Sequence, residues 1–111
     1  MSSVAAVTDQ TFKRDVLESD LPVIVDFWAA WCAPCRMLAP TMDQISAELS
    51  GKINVFKMDV DANPSTPGSF GIQGIPTVIF FSGGQAVGQV VGVRSKEDML
   101  REIERRFGVR A

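Results

Sequence analysis

Strand-like and helix-like patterns alternate along almost the whole of this 111-residue chain. Apolar runs bounded by turn-forming residues predict five strands, at residues 4–7, 22–29, 53–58, 77–81 and 86–91. Helical spacing of apolar residues predicts helices that begin at Thr8-Asp9, Pro34 and Ser95, with a shorter helix near residues 64–70. The resulting order, β-α-β-α-β-α-β-β-α, predicts an α/β fold with a central mixed β-sheet flanked by helices on both faces.

Each helix has a predicted inward face. The first places Phe12, Val16 and Leu17 inward after Thr8-Asp9 as its N-cap. The second runs over residues 34–51, contains Pro40 as a predicted kink, and turns inward Met37, Leu38, Met42, Ile45 and Leu49. The last begins with a capping-box-like Ser95 and Asp98 and turns inward Met99, Leu100, Ile103 and Phe107. Two of the strands are joined by Ser82-Gly83-Gly84-Gln85, which predicts a tight antiparallel hairpin.

Length and composition indicate one globular domain over residues 1–111. The chain is 46% hydrophobic and 22% charged and has no low-complexity tract, so we expect it to fold unaided. Eleven basic and thirteen acidic side chains give a net charge of -2. This balance gives no excess of positive charge that would attract nucleic acid or an anionic membrane, and we expect the protein to bind neither. We also expect a monomer.

The first seven residues lack the basic segment and the long apolar core of a signal peptide. No stretch reaches the roughly 18 consecutive apolar residues that a transmembrane helix requires. We therefore expect a cytoplasmic protein. A mature organellar form, from which a transit sequence had been removed, would have the same appearance.

The only two cysteines stand in Trp31-Cys32-Ala33-Pro34-Cys35, between a predicted strand and a predicted helix. A thiol at a helix N-terminus meets unpaired N–H groups and the positive end of the helix dipole, which favour the thiolate. This predicts a redox pair in which Cys32 is the exposed attacking thiolate and Cys35 resolves the mixed disulfide. An inert disulfide would constrain the unfolded chain little across so short a loop, and two thiols without histidine fall short of a zinc site.

Asp26 interrupts the apolar run over residues 22–29. If the side chain is buried, its pKa is raised and it becomes a candidate proton acceptor for Cys35. The alternative is an ordinary aspartate on a solvated sheet face. The bond Ile75-Pro76 precedes another predicted strand, and base rates alone favour its trans form.

Many residues of the chain match one known family in order and spacing: Asp26, Trp28, Trp31-Cys32-Ala33-Pro34-Cys35, Pro40, Lys57, Asp61, Pro64, Gly71, Ile75-Pro76-Thr77, Gly84 and Gly92. Through them the sequence resembles the thioredoxin family over nearly its whole length. It departs from the commonest pattern at Ala33, where glycine is usual, and at Arg36, where lysine is usual. Because the dipeptide between the cysteines helps to set the redox potential, Ala33 leaves that potential open and the reaction class unchanged.

The resemblance implies a protein disulfide reductase, which is a thiol-disulfide oxidoreductase. The Cys32/Cys35 dithiol would reduce disulfides of target proteins through a mixed disulfide and be re-reduced by a thioredoxin reductase. No Gly-x-Gly-x-x-Gly fingerprint occurs, so we expect no nucleotide or flavin and no cofactor other than the redox-active disulfide itself. Because two thiols without histidine fall short of a zinc site, we also expect no metal. An oxidising or isomerising relative would differ in redox potential, and a binding module would not need its thiols.

The resemblance also implies roles for residues around the cysteines. Asp26 would be a buried catalytic carboxylate with Lys57 moderating its charge. Pro76 would be cis and face the cysteines, and the Ile75 backbone would pair with an extended substrate segment. Support of the active site would come from Trp28, Trp31, Ala33, Pro34, Lys57 and Pro76, and substrate binding from Trp31, Val60, Gly74, Ile75, Val91, Gly92 and Val93.

Overall fold

The computed structural model describes residues 4–111. Residues 1–3, on which part of the signal-peptide prediction rests, lie outside the described residues. The described chain forms a five-stranded sheet from β1 (Ala5–Ala6), β2 (Val23–Trp28), β3 (Asn54–Asp59), β4 (Thr77–Ser82) and β5 (Gln85–Val91). The strand order is β1-β3-β2-β4-β5, with β3 parallel to β1 and β2, and β4 antiparallel to β2 and β5. The predicted mixed sheet is confirmed.

Helices cover both faces of this sheet, as predicted. They are α1 (Ala33–Glu48), α2 (Ser65–Ser69), α3 (Lys96–Phe107) and a π-helical segment (Lys13–Leu17). Successive side chains of a strand point to opposite faces. One face of β2 packs Ile24 into a core with residues of α1 and α3, and the other packs Val25 and Phe27 with the N-terminal segment.

The first helix differs from its prediction at its start. It begins after Phe12 rather than after Thr8-Asp9, and the Glu18 N–H donates to the Lys13 carbonyl, which is π-type bonding. Thr8 and Thr11 instead close a turn, in which the Thr11 N–H donates to Thr8 Oγ1 at 3.2 Å. The predicted inward residues Phe12 and Val16 are buried.

Met37 also differs from its prediction, because its side chain is 67% exposed to solvent and does not face the core. At about 100° per residue, the buried stripe of α1 follows Leu38, Met42, Ile45 and Leu49, and position 37 falls outside it. The helix runs on through Pro40, and the kink there stays a prediction.

Two further local predictions, the β4–β5 turn and the cap of α3, are confirmed. Gly83 and Gly84 have φ of 59° and 81° in the two-residue turn between β4 and β5, the left-handed conformations that a type I′ hairpin requires. The Ser95 hydroxyl accepts from the Asp98 N–H at 3.1 Å and caps α3. The β4–β5 hairpin and α3 thus follow from turn and capping residues that are visible in the sequence.

Candidate functional site

The two cysteines lie at the start of α1, shortly after the end of β2. Cys32 is the N-cap of α1, with extended backbone, and its Sγ accepts from the Cys35 N–H at 3.2 Å. A disulfide joins Cys32 to Cys35, whose Cα atoms are 5.3 Å apart. The predicted position at a helix tip is therefore confirmed, and the Cys32 sulfur meets a backbone donor that would stabilise a thiolate.

Both cysteines are buried in this disulfide state. Cys32 is 4% exposed and Cys35 is 2% exposed, so the prediction of an exposed Cys32 sulfur is wrong for the oxidised protein. The physical reason is coverage by residues distant in sequence, since Val60 and Ile75 pack against the pair. The Ile75 carbonyl oxygen lies 3.8 Å from Cys32 Sγ. Because both cysteines are buried, their exposed fractions do not show which one attacks and which one resolves, and those roles stay predictions.

Asp26 is buried, with 5% of its surface exposed, so it does not lie on a solvated sheet face. Desolvation raises the pKa of Asp26 to about 7, although the positive charge of Lys57 acts in the opposite direction. The two residues are partners in the parallel register of β2 and β3. Among residues 4–111, no donor forms a hydrogen bond with Asp26 Oδ1. Burial and weak compensation together keep this carboxyl protonated up to near-neutral pH.

Trp28 lies two residues after Asp26 on β2 and reaches the cysteines. Because β2 side chains alternate, Asp26 and Trp28 share the face of the strand that turns toward α1. Trp28 packs against the cysteine pair, and Lys57 Nζ lies 5.7 Å from the centroid of its ring. The geometry is that of a cation–π contact. Asp26, Lys57 and Trp28 thus form one contiguous group below the disulfide.

Trp31 has a different environment, since it is 68% exposed. Its Nε1 donates to Asp61 Oδ2 at 2.8 Å, and the Asp61 N–H donates to Asp59 Oδ1 at 2.9 Å. On the α1 side of the same loop, Arg36 Nη1 donates to the Ala30 carbonyl at 2.6 Å. Sequence reasoning gave no role to Asp61 or Arg36, because both contacts depend on how the loop folds over its neighbours.

The loop before β4 brings further predicted residues to the cysteines. The Ile75-Pro76 peptide bond is cis, as the family resemblance implied. The Gly92 N–H donates to the Pro76 carbonyl at 2.9 Å, which joins the end of β5 to this loop. Thr77 Oγ1 donates to the Gly74 carbonyl at 2.5 Å and closes the loop on itself.

The predicted substrate-binding residues differ in exposure. Those exposed to solvent are Trp31, Gly74, Val91 and Val93, and those half-buried are Val60, Ile75 and Gly92. The exposed group includes three large apolar side chains. Between the cysteines, Ala33 and Pro34 are also exposed. Large apolar side chains of the predicted binding set are therefore exposed to solvent, and their role in substrate binding stays a prediction.

Two further features bear on function. In the described part of the chain, no three His, Cys, Asp or Glu side chains come together in a way that could hold a metal ion. None of the helices over residues 4–111 has the length and apolar character to cross a bilayer.

Comparisons with known proteins agree with one another. The family model described as Thioredoxin matches residues 3–105. Thioredoxin 1 of Nostoc sp. is 50% identical over 105 residues, which cover 95% of this chain and 98% of that protein. The thioredoxin of Synechocystis sp. is also 50% identical over 105 residues, with the same coverage of 95% and 98%. The thioredoxin of Rickettsia felis is 52% identical over 94 residues, covering 85% of this chain and 90% of that protein.

Proposed function

The chain belongs to the thioredoxin family, and from this premise we propose how its two cysteines share the reduction of a disulfide. The protein is a thiol-disulfide oxidoreductase whose dithiol Cys32/Cys35 reduces disulfides in other proteins. The observation that carries this conclusion is the Cys32–Cys35 disulfide at the N-terminus of α1. In our proposal Cys32 attacks the target and Cys35 releases the product.

The reaction has two exchange steps. First, the Cys32 thiolate attacks one sulfur of a target disulfide, and the other target sulfur leaves as a thiolate that takes up a proton. Second, the Cys35 thiol loses its proton and its sulfur attacks Cys32 Sγ, which displaces the remaining target sulfur as a thiolate that also takes up a proton. The target gains two electrons and two protons, and the enzyme is left with its Cys32–Cys35 disulfide.

Asp26 is proposed as the acceptor of the Cys35 proton. A general base works best when its pKa is close to the pH of the reaction, and the pKa of Asp26 is raised to about 7. Its position on the α1-facing side of β2, next to Trp28 and below the disulfide, supports this role. Lys57 would moderate the charge that forms on the carboxylate.

The remaining site residues would hold the site and bind the target. Support would come from Trp28, Trp31, Ala33, Pro34, Lys57 and Pro76. An extended segment of the target would pair with the Ile75 backbone by strand addition, on a surface completed by Trp31, Val60, Gly74, Val91, Gly92 and Val93. The exposed apolar side chains of this surface support the assignment.

We also propose the cellular setting of the reaction. Redox partners are a property of the family, and here they would be a thioredoxin reductase and disulfide-containing target proteins. The protein would work as a cytoplasmic monomer, in one domain over residues 1–111, and would need no cofactor besides its own disulfide. It would bind neither nucleic acid nor a membrane.

Reduction of insulin by dithiothreitol tests the activity. The parent protein should accelerate it strongly, and both Cys32→Ser and Cys35→Ser should remove the acceleration. A parent protein that leaves the rate unchanged would contradict the reductase function. Titration of the dithiol against a glutathione series then separates a reductase from an oxidising relative, which would have a potential well above the cytosolic one.

Trapping of mixed disulfides tests the separate roles of the cysteines. Cys35→Ser keeps the attacking thiol and lacks the resolving one, so it should accumulate disulfide-linked partners that dithiothreitol releases. Cys32→Ser is the matched control and should trap little. Equal yields of the same partners from both variants would show that the roles are assigned wrongly.

A further inference from the structure

Met37 is exposed to an unusual degree for a methionine of this chain. Its side chain is 67% exposed, whereas Met42 is 1% exposed and both Met58 and Met99 are 0% exposed. Among residues 4–111, it is therefore the one thioether that a dissolved oxidant reaches without unfolding of the protein. Because Met37 lies outside the buried stripe of α1, core packing does not account for methionine at this position.

The thioether lies beside the active-site dipeptide. Met37 follows Ala33 by four residues and Pro34 by three, which places the three side chains on one face of α1. Ala33 and Pro34 are exposed, while Cys32, Cys35 and Leu38 are buried on the other side. Together with the exposed Trp31, this face forms an apolar margin around the disulfide.

We propose that Met37 is an oxidation site, at which hydrogen peroxide forms a methionine sulfoxide that weakens the docking of protein substrates. Peroxide transfers one oxygen atom to the thioether sulfur and leaves as water, so the sulfur loses two electrons and the peroxide gains them. In the disulfide state Cys32 and Cys35 present no thiolate to the oxidant. Met37 is then the accessible reactive sulfur of the described chain.

The effect on docking follows from the polarity of the sulfoxide. A protein partner that covers the Ala33, Pro34 and Met37 face buries this side chain, and a buried polar group without a hydrogen-bond partner is unfavourable. A small disulfide that reaches the cysteines leaves the face uncovered. The sulfoxide should therefore slow the reduction of protein disulfides and leave the reduction of small ones unchanged. This inference rests on the proposed docking of targets around Cys32.

The first experiment locates the modification. The disulfide form is treated with hydrogen peroxide, and methionine oxidation is followed by peptide mass analysis. We expect the peptide with Met37 to gain one oxygen atom well before the peptides with Met42, Met58 and Met99. In Met37→Leu, a substitution of similar volume that cannot form a sulfoxide, those three buried methionines should stay unoxidised over the same period. Oxidation of the buried methionines at the rate of Met37 would overturn the proposal.

The second experiment measures the consequence. The initial rate of insulin reduction should fall about fivefold in the Met37 sulfoxide form, which corresponds to ~1 kcal/mol. The rate with hydroxyethyl disulfide should not change. For Met37→Leu the ratio of rates before and after peroxide should be one with both substrates. Treatment with methionine sulfoxide reductases, with dithiothreitol as the electron donor, should restore the parent rate.

The outcomes separate this inference from the proposed function. An untreated protein that fails to reduce insulin contradicts the function itself. If the untreated protein is active and its Met37 sulfoxide form reduces insulin equally fast, the inference is wrong and the function stands. Equal slowing with insulin and hydroxyethyl disulfide would show damage to the cysteine chemistry, and it would likewise overturn the docking explanation.

Discussion

The carboxyl group of Asp26 is buried, so its ionisation creates a charge that water does not solvate and that gains little compensation. Lys57 is its register partner, but desolvation outweighs the attraction and the pKa rises to about 7. The unfolded chain has a carboxyl pKa near ~3.9. Between these two values the native protein binds the additional proton, so the free energy of unfolding decreases as the pH rises from 4 to 7.

Asp26→Ala should therefore be more stable than the parent at pH 8, by roughly 2–4 kcal/mol, because no charge is buried. At pH 4 the parent carboxyl is neutral, and the gain should disappear. Urea unfolding of the disulfide form at both pH values measures the difference. The same variant should reduce insulin more slowly than the parent.

Asp20→Ala removes an exposed carboxylate and serves as the control. It should alter neither the pH dependence of stability nor the rate of exchange. A stability gain in Asp26→Ala that is equal at both pH values would contradict the titration argument.

Sequence reasoning at this scale succeeded where one residue broke a pattern. Asp26 stood out because its strand was otherwise apolar, and the helix-tip position of Cys32 followed from the boundary between two patterns. The burial of Cys32 was missed because Val60 and Ile75 cover it. They belong to other segments of the chain, and no local pattern records their approach.

Single elements of this fold depend on residues far from them, and α2 is the clearest case. This five-residue helix contains Pro67 and Gly68, both poor helix formers, and its N-cap Pro64 makes no side-chain capping bond. Asp9 supplies the acceptors instead. Its carboxylate accepts from the Thr66 N–H at 2.9 Å, the Thr66 hydroxyl at 2.6 Å and the Ser65 N–H at 3.1 Å.

This function of Asp9 explains why the first helix begins later than predicted. Thr8-Asp9 has the composition of an N-cap, but the carboxylate is engaged with α2, 57 residues further along the chain. Spacing and capping rules consider only neighbouring residues. They correctly indicated that Asp9 caps a helix, but they assigned it to the helix that follows it in sequence instead of to α2. Met37 is a different error, since the spacing of about 100° per residue that joins Leu38 to the other buried residues of α1 already places position 37 outside their stripe. Its apolar character alone favoured an inward position.

Asp9→Ala should lower the free energy of unfolding by about 1–2 kcal/mol at pH 7, because three donors lose their acceptor. Desolvation opposes the change, but the hydrogen bonds from Thr66 and Ser65 hold the pKa of Asp9 below its ordinary 3.8. The contribution is thus present at neutral pH and is lost as the pH falls through that lowered pKa.

Denaturant unfolding at pH 7 and at a series of acidic pH values, with hydrogen exchange of the Thr66 amide, measures the loss. Gln10→Ala alters an exposed neighbour and is the control. Parent-like exchange of the Thr66 amide in Asp9→Ala would show that α2 does not depend on this carboxylate.

At the scale of the whole molecule, the strand order leaves β1 and β5 at the edges of the sheet. A long open edge is a template for pairing with another chain. The edge formed by β1 is only two residues long, whereas the edge formed by β5 is seven residues long. Because the Gly92 N–H bonds to Pro76 on the β4 side, the alternation of backbone groups turns those of Val91 toward the open edge. Val87 has no register partner in β4, because it lies at the register shift opposite Phe80 and Phe81.

Two arginines donate hydrogen bonds to the carbonyls of Val87 and Val91. Arg94 Nη2 donates to the Val91 carbonyl and Arg106 Nη1 to the Val87 carbonyl, each at 3.3 Å. Gly88 makes room for the second contact, since a Cβ there would lie 2.5 Å from Arg106 Nε. A charge pattern in the sequence does not reveal which backbone groups lie beneath such arginines.

If these contacts keep the edge closed, the double variant Arg94→Ala/Arg106→Ala should self-associate. The Val87 and Val91 carbonyls would then be free to accept from a strand of a second copy, and the exposed valines would add apolar contact. Light scattering after size-exclusion chromatography should show an average mass that rises with concentration above that of one chain.

The double variant Arg101→Ala/Arg105→Ala is the control, because it removes the same charge. Its guanidinium groups pair with Asp98 and Glu102 on α3. Arg106 also pairs with Glu102, but it donates to the Val87 carbonyl of β5 as well. A lower positive charge increases repulsion between copies of this acidic chain in both double variants. Association confined to the first variant would therefore report on the edge, and a monomer at every concentration for both would show that β5 is protected by something other than the two arginines.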